Sequence, residues 1–225
     1  MTTNDPTADD VDDALAPDGS RRMFKSERGP FQVFTAPAIL APPQPEEITD
    51  EMVEGFLNFF DYSDLVNKGE PEVEVREAVK QMSRASMPGM TSVPLFDQGG
   101  PKGMSLVWVW FGPNYKLFRH GHPPLGDCLY LVVAGSLHLG HRELGPGDGF
   151  FVPHGMLYRY RAGSQGVQVL EIRAGTEEPL GTPGSFRMGE PSVKAIRKLT
   201  EDLIEHQSEW KHWPSRIGED SSADW

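Results

Sequence analysis

His120 and His122 stand one residue apart in RHGHPPLGDCLYLVVAG, residues 119–135. On a β-strand, residues i and i+2 point to the same face, so the two imidazoles would lie side by side. Neutral imidazoles arranged that way can begin a first-row metal site. They can equally be a hydrogen-bonded pair at a strand end, because short spacing motifs are loose. Cys128, the chain's single cysteine, opens the apolar run that follows. A free cysteine is most often a small buried hydrophobe; as a thiolate ligand it needs a nearby cation to lower its pKa. Strand alternation puts Cys128, Tyr130 and Val132 on one face and Asp127 on the other. Asp127 would reach a metal only through a bulge at the strand start. Of the remaining histidines, His138 and His141 flank an expected hairpin and could complete a site under another register. His154 falls on an expected turn and reads as exposed; His206 and His212 read as surface residues on or beyond a C-terminal helix.

The elements that must hold these groups change character along the chain. Residues 1–20 contain six Asp and no basic residue, a pattern of solvated, mobile tails. FQVFTA (31–36) alternates and fits an added strand, one that could cover a sheet edge. A proline-rich connector, APAILAPPQPEE, follows it. ITDEMVEGFLNFFDYSDLV has helical spacing, with Met52, Phe56 and Phe59 or Phe60 on one face and Thr49 or Asp50 as N-cap. PEVEVREAVKQMSRAS opens on a proline and repeats Val75, Ala78, Val79 and Met82 at helical spacing. From residue 104 the period becomes two: MSLVWVWF, YKLFRH, CLYLVVAG, SLHLGH, GFFVP, LYRYRA and VQVLEIR. GPN, HPPLG, ELGPGDG, PHG and AGSQG read as the turns between them. Short strands with closely spaced turns predict a mainly β sandwich or barrel. SVKAIRKLTEDLIEHQSEW then returns to helical spacing behind Ser192 as N-cap. The expected organisation is a flexible tail over 1–30, a helical extension over 31–103, a β core over 104–175, and a linker and packing helix over 176–225.

The totals narrow the function classes. A length of 225 residues suits one substantial domain with extensions. Twenty Pro and 24 Gly fit a turn-rich β architecture. A net charge of -12 argues against a surface that tracks nucleic-acid phosphates. No run of 18 apolar residues predicts a membrane span. An acidic N-terminus without an apolar run and a lone cysteine together predict a cytoplasmic protein.

GPNYKLFRHGHPPLGDCLYLVVAG followed by LGPGDGFFVPHGMLYRY resembles the two signature motifs of the cupin superfamily. Gly112, His120, His122 and Gly135 fill places in the first motif; Gly147, Asp148, Pro153 and Gly155 fill places in the second. The resemblance spans about residues 104–173. It implies a double-stranded β-helix, or jelly-roll barrel, with helical extensions at both ends, and a homodimer. It also implies a ligand set of two histidines, a glutamate and a further histidine. Here the glutamate position is Cys128, and the second-motif histidine position is Tyr158. Cupin-type thiol dioxygenases carry a cysteine in place of that glutamate, linked to a tyrosine, but they retain the second-motif histidine.

These substitutions make Tyr158 and Cys128 the candidate catalytic groups. His120 and His122 are the leading metal ligands, with Cys128, Asp127 and Tyr158 as further candidates. Trp108, Trp110, Phe118, Tyr130, Phe150 and Tyr160 are candidate pocket walls suited to an apolar or aromatic small molecule. Tyr158, Arg159, Glu171 and Arg173 are candidate polar contacts, with strand parity deciding which point inward. The leading expectation is a metal-dependent enzyme acting on a small aromatic or carbonyl compound, with Fe(II) the favoured ion and dioxygenation the favoured reaction. Zn, Mn, Ni or Cu are the other ions, and a redox-inert ion implies lyase or isomerase chemistry. Two other classes stay open: metal-free acid–base catalysis by His and Tyr, as in cupin epimerases, and non-catalytic binding or sensing.

Overall fold

The computed structural model describes residues 22–25, 32–35, 47–98, 100, 102–175, 182–211, 213–214 and 216–218. The acidic run 1–20, most of the proline-rich connector and His212 lie outside the described residues. In chain order, β1 (Arg22–Lys25) and β2 (Gln32–Thr35) form an antiparallel pair. Then come α1 (Asp50–Leu57), β3 (Phe60–Asp61), α2 (Ser63–Asn67), α3 (Glu72–Ser86) and β4 (Met90–Asp97). The central part holds β5 (Met104–Phe111), β6 (His120–Gly121), β7 (Cys128–Leu139), β8 (Arg142–Leu144), β9 (Gly149–Val152) and β10 (Arg161–Ala174). The chain closes with β11 (Phe186–Met188) and α4 (Val193–His206).

Two sheets carry the fold. The larger runs β4-β5-β10-β7-β8, with β9 pairing the start of β7; the smaller runs β3-β11-β6. This pairing makes two layers, and among the described residues no ladder closes them into a ring. The larger sheet also starts earlier than residue 104, since β4 pairs antiparallel with β5. Likewise β11 comes from the stretch read as a linker, and three residues are too short for alternation to show. No helix among the described residues is long and apolar enough to cross a membrane.

The helices follow their apolar spacing where nothing competes for it. In α3, Val75, Ala78, Val79 and Met82 are buried, and they pack against α4, whose Ile196, Leu199 and Leu203 are buried in turn. Ser192 caps α4 by accepting from the Ala195 amide. Thr49 caps α1 in the same way, accepting from the Met52 amide. The helix expected through residue 66 stops at Leu57, however, and buries Val53 and Leu57. The small sheet takes the chain just beyond, where Phe60 pairs with Phe186 in parallel register. That break turns Phe56 and Phe59 toward a cavity instead of leaving them on a helical packing face.

Register in the large sheet stacks inward side chains in rows. Cys128 faces Arg173, which faces Ser105; Tyr130 faces Glu171, which faces Val107. Trp108 and Trp110 occupy the alternate face, so they are not the pocket walls expected of them. Both are fully buried there beneath the C-terminal segment. Trp108 Nε1 donates to Gln168 Oε1 at 3.1 Å, Gly218 N donates to the same oxygen at 2.9 Å, and Trp110 meets the ring of Trp213. AGSQG, read as a turn, lies inside β10, where the register with β7 shifts between Ala162 and Val167. Gly135 faces Val167 across that bulge with φ +67, and a Cβ there would run into the Gly166 carbonyl. Gly135→Ala combines a left-handed backbone with a steric clash, and should cost about 3 kcal/mol in urea denaturation. A loss below roughly 0.5 kcal/mol would contradict this account of the bulge.

Candidate functional site

A cavity of about 330 Å³ opens between the two sheets. Val107, Val109 and Phe111 of β5 line one side, and Phe186 of β11 with Phe56 and Phe59 from the α1 end line the other. His120, His122, Tyr158, Glu171 and Arg173 supply polar groups to the same wall. Parity thus sends Tyr158, Glu171 and Arg173 inward. Arg159 points outward, its side chain 55% exposed, toward Glu190.

The histidines meet through their Nε2 atoms. His120 is buried, and its Nδ1 lies 3.0 Å from the Phe118 carbonyl, an acceptor. Nδ1 must therefore carry the proton, which leaves a lone pair on Nε2. The His122 Nε2 lies 3.1 Å from it and 3.2 Å from the Tyr158 hydroxyl. Burial lowers the pKa of both rings: His120 to about 4, and His122 well below the usual range, with the charge of His120 as its next cause. Both imidazoles are neutral at pH 7. His122 Nε2 has a single in-plane position for either a proton or a lone pair. If it carries the proton, it donates to His120 Nε2; if it does not, two lone pairs meet there, an arrangement that favours a cation between them.

That arrangement fits a divalent transition metal. A metal–nitrogen bond of about 2.1 Å places neighbouring ligand nitrogens roughly 3.0–3.4 Å apart, and the observed separation is 3.1 Å. The bond from His120 Nδ1 to a backbone carbonyl is the orienting contact that metal-ligating histidines usually have. No third His, Cys, Asp or Glu joins the pair among the described residues. The nearest further oxygen donor recorded at the pair is the Tyr158 hydroxyl, which also hydrogen-bonds the Tyr130 hydroxyl. Burial, then the negative charge of Glu171, raises the pKa of Tyr158 well above the usual phenol value, so it stands as a neutral phenol.

Two proposed ligands do not reach the pair. Asp127 is exposed, with no bulge to turn it, and its Oδ1 accepts from the His154 amide at 2.9 Å. Cys128 is buried in the large sheet, where desolvation and then the charge of Glu171 push its thiol up to about 12. It packs as a neutral thiol rather than a thiolate. Of the expected aromatic walls, Phe118 lines the cavity. Tyr130, Phe150 and Tyr160 stand behind Tyr158 instead, Tyr130 stacked on Phe150 with ring centroids 4.5 Å apart. His138 and His141 are exposed at the β7–β8 turn, and His154 is exposed with its Nδ1 on the Leu125 carbonyl. His206 pairs with Glu209. Phe56, Phe59 and Phe186 join the wall from segments outside the alternating region, and alternation alone could not have placed them.

No family model and no curated protein matches the chain. Among solved structures it is similar to KdgF from Halomonas sp., at 24% identity over 39% of this chain and 80% of that one, TM-score 0.35. It is similar to an RmlC-like cupin from Shewanella frigidimarina, at 22% identity over 40% of this chain and 80% of that one, TM-score 0.35. The polyketide cyclase RemF from Streptomyces resistomycificus shares 22% identity over 53% of this chain and 79% of that one, TM-score 0.37. Within this chain the stretches 112–135 and 147–158 meet through the β7–β9 pairing and the His120–Tyr158 bridge, and the second reaches the cavity through Tyr158.

The neutral burial of His120 has a consequence for stability. An unfolded histidine titrates near pH 6.5, so stability is full above that pH. Between about pH 6.5 and 4 the unfolded chain takes up the proton first, and stability is lost as pH falls. In metal-free protein, His120→Gln should remove roughly 3 kcal/mol of the stability difference between pH 7 and pH 4. Urea denaturation at the two pH values reads it, and an unchanged difference would contradict the neutral, buried imidazole.

Proposed function

We propose that this cupin-type protein is an enzyme acting on a small, largely apolar molecule that bears a carbonyl or aromatic group. His120 and His122 hold a divalent transition metal, and Tyr158 moves a proton in redox-neutral chemistry of the lyase or isomerase kind. The observation that carries the reading is the convergence of two neutral imidazole nitrogens and a phenol at one wall of an apolar cavity. A bound ion would supply Lewis-acid polarisation of a substrate oxygen. The protein's own groups do the rest. The Tyr158 hydroxyl holds a proton that it can deliver at a substrate carbon or oxygen, and Tyr130 stabilises the phenolate left behind by hydrogen bonding. Phe56, Phe59, Phe111 and Phe186 exclude water from that transfer and fit an apolar substrate body.

The donor set favours redox-neutral chemistry over dioxygenation. Non-haem Fe(II) oxygenases of the facial-triad type use two histidines with a carboxylate. No carboxylate joins His120 and His122 among the described residues, and the neighbouring group is a neutral phenol. Zn, Mn, Ni and Cu therefore stand beside Fe(II) as the resident ion. A metal-free reading draws on the unbroken contacts from His120 through His122 and Tyr158 to Tyr130.

Elemental analysis of protein purified without a His-tag separates these readings. About one ion per chain is expected in the wild type, and less than roughly a tenth of that in His120→Ala. Wild-type protein without metal, but with turnover that needs His120 and Tyr158, would overturn the metal reading in favour of the metal-free one. Tyr158→Phe should keep its ion and lose about 10²–10⁴-fold in turnover, measured against a panel of carbonyl and aromatic compounds. Oxygen uptake by the anaerobically iron-loaded protein on that panel would contradict the redox-neutral assignment.

A further inference from the structure

Glu171 and Arg173 place a buried ion pair in the cavity wall. They sit two residues apart on the inward face of β10, and both are more than nine-tenths buried. One bond joins them, from Arg173 Nη2 to Glu171 Oε2. A guanidinium has five N–H donors, yet Arg173 Nε is buried without a partner among the described residues. The hydroxyl of Ser105, which faces Arg173 across the β5–β10 ladder, is buried without a partner as well. Glu171 and Arg173 both line the cavity, so the polar edge of this ion pair is what an occupant of the cavity meets.

The charge of the pair constrains that occupant. The Glu171 carboxylate and the Arg173 guanidinium are in direct contact and cancel. An uncharged oxygen group can accept from the guanidinium and leave the site neutral. A carboxylate would bring an uncompensated charge into an aromatic cavity, next to Glu171.

We propose that the Glu171–Arg173 pair selects the charge of the ligand, taking the uncharged oxygen end of a small aromatic or apolar molecule, a ketone or a phenol, and rejecting the matching carboxylate. The Arg173 guanidinium donates to the ligand oxygen, and the Glu171 carboxylate accepts from a phenol O–H. This rests on the reading that the cavity is the substrate site, and it deepens that reading by naming the substrate's charge class.

The test uses metal-free full-length protein, prepared with a chelator, and three probes that share one ring: acetophenone, benzoate and benzylamine. Isothermal titration should show the wild type binding acetophenone about tenfold or more tightly than either ion. An ionised probe is disfavoured by any apolar cavity, so the variants decide the origin of the preference. Glu171→Gln keeps an acceptor for Arg173 but leaves the guanidinium uncompensated, and its preference should swing to benzoate by about tenfold. Arg173→Gln leaves the carboxylate uncompensated, and its preference should swing to benzylamine by a similar factor. A loosened fold weakens all three probes and produces neither gain, and if one variant fails to fold the other still reads the charge. Failure of acetophenone to bind the wild type, tighter wild-type binding of benzoate, or unchanged probe ratios in a folded variant would overturn the proposal. Because no metal is present, the outcome is independent of whether His120 and His122 hold one. A cavity that binds no probe at all would sink the substrate-site reading with it, whereas binding without the swing would sink the charge selection alone.

Discussion

The hydrogen bond from His120 Nδ1 to the Phe118 carbonyl is the contact on which the site depends. It fixes which nitrogen carries the proton, and so leaves Nε2 as a lone pair facing His122. Burial then keeps the ring neutral, because charging it would place a cation in an apolar wall close to Arg173. Neither effect suffices alone. A buried ring without the Phe118 contact could turn its proton toward His122, and an exposed ring with that contact would titrate near pH 6.5.

The surrounding fold serves to hold that geometry with very short elements. The His120–Gly121 strand is held by β11, through Met188, and by a bridge to Tyr158, which also brings the phenol to the imidazoles. The β11 strand is anchored on its other edge by β3, so the break after α1 is part of the site's construction. One local event therefore ends a helix, supplies a pairing strand and turns Phe56 and Phe59 to the cavity. The large sheet contributes differently: its register delivers Glu171 and Arg173 beside the apolar side chains of β5, charged groups within a largely apolar wall.

What the sequence made legible follows from the range over which each signal acts. Period-two runs located β5, β7, β9 and β10, and helical spacing located α3 and α4, because those patterns repeat within one element. The His-x-His pair was readable as two imidazoles on one face, and Tyr158 was readable as the group opposite them from motif spacing. Parity on β10 left Glu171 and Arg173 together on whichever face it chose, and the register shows that face to be inward. Trp108 and Trp110 were misplaced because alternation says which residues share a face but not which face meets the cavity. AGSQG has turn composition, yet its glycines serve a bulge opposite Gly135, a use that only the pairing of two distant strands reveals. Phe186 was invisible for the same reason, since three residues carry no period. Cys128 and Asp127 were each assigned correctly to opposite faces, and neither turned out to join the histidines.

The two departures from the ligand set that the sequence resemblance implies have different characters. Cys128 replaces a carboxylate by a neutral thiol that belongs to the core. Tyr158 replaces an imidazole by a phenol that stays in contact with the remaining pair. Among the described residues the pair has no anionic or third-nitrogen donor but does have a phenol, which is the chemical basis on which we propose proton transfer rather than oxygen activation. The measurement that tests this most directly is an anomalous diffraction map recorded at the absorption edge of the ion found in the purified protein. A single peak about 2.1 Å from both His120 Nε2 and His122 Nε2, with Cys128 outside the coordination sphere, is the predicted result. A peak bound by the Cys128 sulfur, or no peak between the imidazoles, would contradict it.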